Sequence, residues 1–212
     1  MLRLLAGFML LLTASTLPAA AATDDEDTCY SGVFTQQEID ACTRALGATD
    51  KVGKELAGLY YERALKYRLT RQYQLALADV NTVLKLDPGF RFAYTLRAHV
   101  YADLGDFTRA LADHNKVIEL EPNSAVALTG RGIAYTRQRK YALAFADFDK
   151  AVAIDAGYFY GYYYRAEAYA QAGDLKKALA DYEKAASLRP DDENAQARLK
   201  EIRARLRGGG KR

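Results

Sequence analysis

Few side chains in this sequence could do chemistry. It has two histidines, His99 and His114, and two cysteines, Cys29 and Cys42. Neither pair, alone or with nearby acids, has metal-ligand spacing, and no glycine-rich loop opens a helix in the way that cradles phosphate. A histidine with no paired nucleophile is not an acid–base centre. The residues therefore argue against an enzyme and against a bound metal or cofactor. His114 falls at a place filled elsewhere by Val80, Phe148 and Tyr182, so it reads as a core ring, whereas His99 reads as a contact residue. One charged series does recur. Arg63, Arg97, Arg131 and Arg165 are each matched by an acid, Asp79, Asp113, Asp147 and Asp181. Opposite charges matched copy by copy leave nothing free to attract a ligand, so the series reads as a structural ladder holding register between helices, each pair contributing about 1 kcal/mol or less where it is partly exposed.

The elements that carry this ladder repeat every 34 residues. Leu86-Asp87-Pro88, Leu120-Glu121-Pro122, Ile154-Asp155-Ala156 and Leu188-Arg189-Pro190 mark the end of each copy, which run 57–90, 91–124, 125–158 and 159–192. The eighth place is small in each (Ala64, Ala98, Gly132, Ala166), as is the twentieth (Ala76, Ala110, Ala144, Ala178). The fourth place is Tyr60, Tyr94, Leu128 and Tyr162, and the eleventh is Tyr67, Tyr101, Tyr135 and Tyr169. Two helices approach closely only where small side chains face each other, and rings fill the wider gaps.

This pattern resembles the tetratricopeptide repeat, a helix–turn–helix unit. The resemblance implies an all-α fold, a right-handed helical-repeat solenoid of about four repeats with N- and C-terminal capping helices, and a binding function without catalysis. Gly105 and Gly173 mark the inter-helix turn in the second and fourth copies; Arg71 and Arg139 hold the matching places in the other two, where the turn is less sharply specified. In this family the second, fifth, ninth and twelfth places line the concave face. On that basis Tyr61, Phe92, Thr95, His99, Thr129, Ile133, Tyr160, Tyr163 and Glu167 are the candidate partner-binding residues. Relatives that grip acidic C-termini carry Lys at the fifth place and Asn or Arg at the ninth. Here the fifth is Tyr61, Thr95, Thr129 and Tyr163, and the ninth Leu65, His99, Ile133 and Glu167, which excludes that clamp. The groove is instead apolar and aromatic, with Tyr160, Tyr163 and Tyr164 as candidates for exposure and Tyr162 assigned to the core.

Residues 1–22 read as a cleavable signal: Arg3, an apolar run Leu4 to Leu12, and a small-residue site Ala20-Ala21-Ala22. The run falls short of the ~20 residues of a spanning helix, so no stable membrane anchor is expected. Its removal takes one of 30 basic side chains and none of the 27 acidic ones, and the near-neutral remainder argues against nucleic acid. Two cysteines in an exported chain point to a Cys29–Cys42 disulfide; the alternative is one buried and one exposed thiol. The segment 23–56 holds a helix opened by the capping box Thr35-Gln36-Gln37-Glu38, and Asp40-Ala41-Cys42-Thr43 within it echoes Asp79-Val80-Asn81-Thr82, as in a truncated extra repeat. At the other end, 193–212 reads as a capping helix to Leu206 and a flexible tail from Gly208. The acidic start, Asp24-Asp25-Glu26-Asp27, and the basic end read as solvated tails. The leading reading is an exported, periplasmic or secreted, protein–protein interaction scaffold. A module for small ligands or glycans and a self-associating structural subunit stay open beside it.

Overall fold

The computed structural model describes residues 19–32 and 35–209. Among these residues the chain forms eleven helices and no strand: α1 (Ala19–Cys29), α2 (Gln36–Ala48), α3 (Gly53–Leu69), α4 (Tyr73–Leu86), α5 (Arg91–Asp103), α6 (Phe107–Leu120), α7 (Ala125–Arg137), α8 (Tyr141–Ile154), α9 (Phe159–Ala172), α10 (Leu175–Leu188) and α11 (Glu193–Gly209). Each helix packs on the next, giving five antiparallel hairpins and a closing helix. The first helices of the repeats also touch one another, α3 to α5, α5 to α7 and α7 to α9. Like helices approach where a curved stack is tightest, so the first helices line its concave side.

Every small place of the repeat is buried where two helices meet. Ala64, Ala98, Ala166 and all four alanines of the twentieth place are fully buried. At Gly132 a Cβ would lie 2.8 Å from the Phe148 ring, so the glycine is what admits that ring to the core. The fifteenth place turns left-handed in all four copies, at Gly105 (φ 78) and Gly173 (φ 91) but also at Arg71 (φ 61) and Arg139 (φ 58). The turn is thus equally sharp with arginine, closed in every copy by a backbone bond from the following residue (Gln72, Asp106, Lys140, Asp174) to the eleventh-place carbonyl, against a cost of roughly 1–2 kcal/mol. The copies alternate in how this turn is closed. In the second and fourth, Asp106 and Asp174 cap the following helix by accepting from the backbone of Arg109 and Lys177. The first and third lack that cap; there Asp87 and Asp155 instead accept from Gly89 and Gly157 in the connection between repeats.

The arginine–aspartate ladder is bidentate in every copy. Arg63, Arg97, Arg131 and Arg165 each donate two bonds of 2.7 to 2.8 Å to Asp79, Asp113, Asp147 and Asp181. The third arm reaches back to the preceding unit, where Thr43, Asn81, Asn115 and Asp149 accept from Nη1. Each guanidinium therefore joins three helices, and the aspartates are buried. Arginine suits this because its planar fork can satisfy both carboxylate oxygens and a further acceptor at once.

The ends depart from the sequence reading. The N-terminal segment is a helical hairpin, α1 with α2, and α1 begins at Ala19 within the expected signal; residues 1–18 lie outside the described part. The acidic start is not a solvated tail. It sits in α1, where Asp25 pairs with Arg44 at 2.6 Å and Glu26 pairs with Lys51. Cys29 and Cys42, both fully buried, are joined with their Cα atoms 4.7 Å apart. The truncated repeat is shifted by one residue from the expected echo. Thr43, not Cys42, takes the place of Asn81 beside the ladder, and Cys42 takes the core place of Val80. The first repeat's opening helix starts at Gly53, ahead of residue 57. At the C-terminus α11 continues through Gly208 to Gly209 where a flexible tail was expected, since extending an existing helix needs only one more bond per residue; residues 210–212 are outside the described part.

Candidate partner-binding groove

The concave side holds a cavity of about 650 Å³ walled by α5, α7 and α9, with Arg68 of α3 at one end. Of the candidate residues, His99, Thr129, Ile133 and Tyr160 line it. Residues absent from that candidate set also line it, among them Asp103, Arg137, Tyr158 and Tyr164. Asp103 and Arg137 share the thirteenth place, one turn beyond His99 and Ile133 at the ninth, so their spacing from the ninth place was the available signal.

The other candidates lie elsewhere. Tyr61 packs into the core of the first repeat with its ring 5.1 Å from Phe90. Phe92 and Thr95 border a neighbouring depression of about 320 Å³ toward the second repeat. Tyr163 and Glu167 line a smaller adjoining cavity of about 220 Å³ and also serve the C-terminal cap. The Tyr163 ring stacks on Phe159 and meets Tyr182 edge-on, within the cluster that includes Leu199 and Ile202 of α11. Glu167 accepts from the Tyr182 hydroxyl at 2.6 Å and pairs with Arg198 of α11 at 2.9 Å.

Tyr163 and Tyr164, both candidates for exposure, are half-buried and part company for a helical reason. Residues four apart share a face, so Tyr164 stacks beside Tyr160 in the groove while Tyr163 stacks on Phe159 under the cap. Tyr162, expected in the core, is half-buried beside Arg165 and Lys184; Tyr182 is the ring that is fully enclosed.

Along one rim the second place of successive repeats exposes a large apolar side chain: Phe92 (47%), Val126 (45%) and Tyr160 (40%). In the first repeat this place is Gly58, where a Cβ would lie 2.9 Å from the Tyr30 hydroxyl, so the N-terminal cap supplies the ring instead.

The cavity floor is polar and neutral. His99 meets His114 at a ring separation of 6.0 Å. Burial, reinforced by Arg68, lowers the His99 pKa to about 4, and burial, with His99 and Arg131 nearby, lowers His114 to about 3, so both imidazoles are uncharged at pH 7. Thr129 Oγ1 and His114 Nδ1 are buried without a hydrogen-bond partner. At the wall, burial raises the Tyr158 pKa to about 12, so its hydroxyl keeps its proton. Such a surface can donate and accept hydrogen bonds and stack on rings. Among the described residues no cluster of His, Cys, Asp and Glu could hold a metal ion, and no helix is long and apolar enough to cross a membrane.

Known proteins share this construction. Residues 95–159 and 159–192 match models described as the tetratricopeptide repeat. The stretch 95–192 consists of tetratricopeptide repeats. No curated protein matches the chain. Among solved structures it is similar to the first such domain of Spaghetti (RPAP3) bound to an HSP90 peptide, at 28% identity and a TM-score of 0.52 over 55% of this chain and 92% of that one. It is similar to MamA at 25% identity and a TM-score of 0.58, over 69% of this chain and 84% of that one. The tetratricopeptide protein TTC0263 of Thermus thermophilus has the same fold, with a TM-score of 0.70 at 20% identity over 86% of this chain and 97% of that one. The fold is therefore a tetratricopeptide-type helical-repeat solenoid, the architecture of a protein-interaction scaffold.

Proposed function

We propose that this chain is an exported scaffold that binds or assembles envelope proteins, and that its partner docks on the concave face over the tyrosines where the third repeat meets the fourth. The observation that carries the reading is the 650 Å³ cavity where Tyr158, Tyr160 and Tyr164 meet. Tyrosines of this kind offer large contact area with little side-chain freedom to lose, which is why a few can dominate an interface. A partner protein also accords with the similarity to a repeat domain that is bound to a peptide. Export accords with the leader-like residues 1–22 and with the Cys29–Cys42 disulfide, which persists in oxidising compartments.

The test is a binding titration against the partner recovered from the envelope fraction. Tyr160→Ala combined with Tyr164→Ala should weaken binding by ~2 kcal/mol or more, whereas Tyr163→Ala should chiefly lower the melting temperature. If the first variant binds normally and the second alone loses the partner, the groove is the wrong surface. For location, the intact mass of the protein from its source should start at Thr23, and both cysteines should resist alkylation until reduced.

A further inference from the structure

The charges around the cavity are unevenly matched. Its lining includes Arg68, Asp103 and Arg137, and the first two pair with each other at 2.7 Å. Among the described residues Arg137 has no carboxylate partner, and it is exposed at the mouth beside Tyr164. Arg189 is likewise without a carboxylate and lies against Tyr160, 4.8 Å from the ring centroid with Nη1 3.3 Å from the hydroxyl. Tyr160 and Tyr164 stack with centroids 6.2 Å apart. The pair thus has one unmatched guanidinium at each end, over a floor where the Thr129 hydroxyl is buried without a partner.

Building on the groove reading above, we infer that the cavity takes an internal acidic segment of the partner protein. One aromatic side chain of that segment sits among Tyr158, Tyr160 and Tyr164, and its flanking carboxylates pair with Arg137 and Arg189. Charge complementarity selects the acid. The stacked rings select an aromatic anchor, and a polar atom on that anchor gives Thr129 the bond it lacks. A chain segment fits better than a lone small molecule because a second cavity of about 220 Å³ adjoins the first, the two sharing Ile133, Arg137 and Tyr164 as lining residues. The anion is a side chain rather than a chain terminus. The arginines stand at the thirteenth and thirty-first places, and the fifth and ninth places carry none of the residues that hold a terminal carboxylate.

The experiment is fluorescence anisotropy on the full chain with short labelled peptides, acetylated and amidated so that neither end is charged. A peptide with a central tryptophan between glutamates should bind. Its counterparts with lysines for glutamates, or alanine for tryptophan, should not. Arg137→Ala, at an exposed side chain, should weaken binding on the order of tenfold with the circular dichroism spectrum unchanged. Asp103→Asn should strengthen it several-fold by freeing Arg68, a gain that a merely structural role would not produce. Equal binding of all three peptides, no binding of the acidic one, or indifference to Arg137→Ala overturns the inference. The recovered partner separates the two levels. If it is released by Tyr160→Ala with Tyr164→Ala but not by Arg137→Ala, the acidic segment is refuted while the groove stands; if by neither, both fall.

Discussion

The same first helices carry both the arginine ladder and the groove, and the two faces treat repetition in opposite ways. On the ladder face each copy has the same two residues in the same bidentate geometry, with an acceptor waiting on the preceding unit. On the groove face the ninth place runs Leu65, His99, Ile133 and Glu167, and no two copies agree. Uniformity suits a job that every interface shares, namely fixing the register of stacked hairpins. Variation suits a job done once, at one place along the array. The contrast locates stability in what the repeats share and specificity in what they do not.

Breaking the ladder should give the largest effect. Asp147→Ala leaves the half-buried Arg131 without its two bonds to a carboxylate and should cost about 3 kcal/mol, read as a lower denaturation midpoint with the partner affinity unchanged. A variant with native stability and lost binding would erase the distinction between the faces.

The groove floor should contribute an acid-sensitive component of its own. His99 has a folded pKa below its unfolded value, so the unfolded chain takes up the proton first and stability falls as pH drops from about 6.5 toward 4. By pH 5 this should amount to about 2 kcal/mol from His99, with His114 acting in the same direction. His114→Phe, the ring that Phe148 supplies in the next repeat, should flatten the decline in chemical denaturation. A native protein equally stable at pH 5 and 7 would mean that both imidazoles are in contact with water.

The smallest effect should be a gain. Arg139→Gly relieves a left-handed arginine and should raise stability by up to about 1 kcal/mol, measured by thermal unfolding. The reverse change in the second copy, Gly105→Arg, should be tolerated at a similar loss, because the turn is held by its neighbours in either case.

The sequence was most legible where packing imposes the same demand on each copy. The small places, the shared turn and the partners of Arg63 through Arg165 all come from a period that only stacked hairpins satisfy. It was least legible at the two ends. Places borrowed from an internal repeat treat the fourth copy as though another came after it, but its neighbour is α11, against which Tyr163 and Glu167 also pack, and of the three only Tyr164 reaches the larger cavity. Lys66 shows the same limit at the other end: it is fully buried where later copies have Val100, Ala134 and Ala168. An acidic run such as Asp24 to Asp27 is equally suited to solvent or to ion pairs, and only the positions of Arg44 and Lys51 decide between them.

The third arm of each ladder arginine gives the array a direction. Every guanidinium leans on the unit before it and none on the unit after, so each hairpin is a foothold for its successor. Thr43 is the first foothold, and the disulfide beside it fastens that step to α1. The series ends at α11, where the seventh place is Leu199 and Arg203 reaches Glu183 instead. Damage should therefore travel one way: a fault in an early acceptor undermines the arginine downstream, while a fault near α11 has no later rung to disturb. A copy inserted between existing ones would find both its foothold and its follower already in place, so this groove could lengthen by whole repeats without redesign of either end.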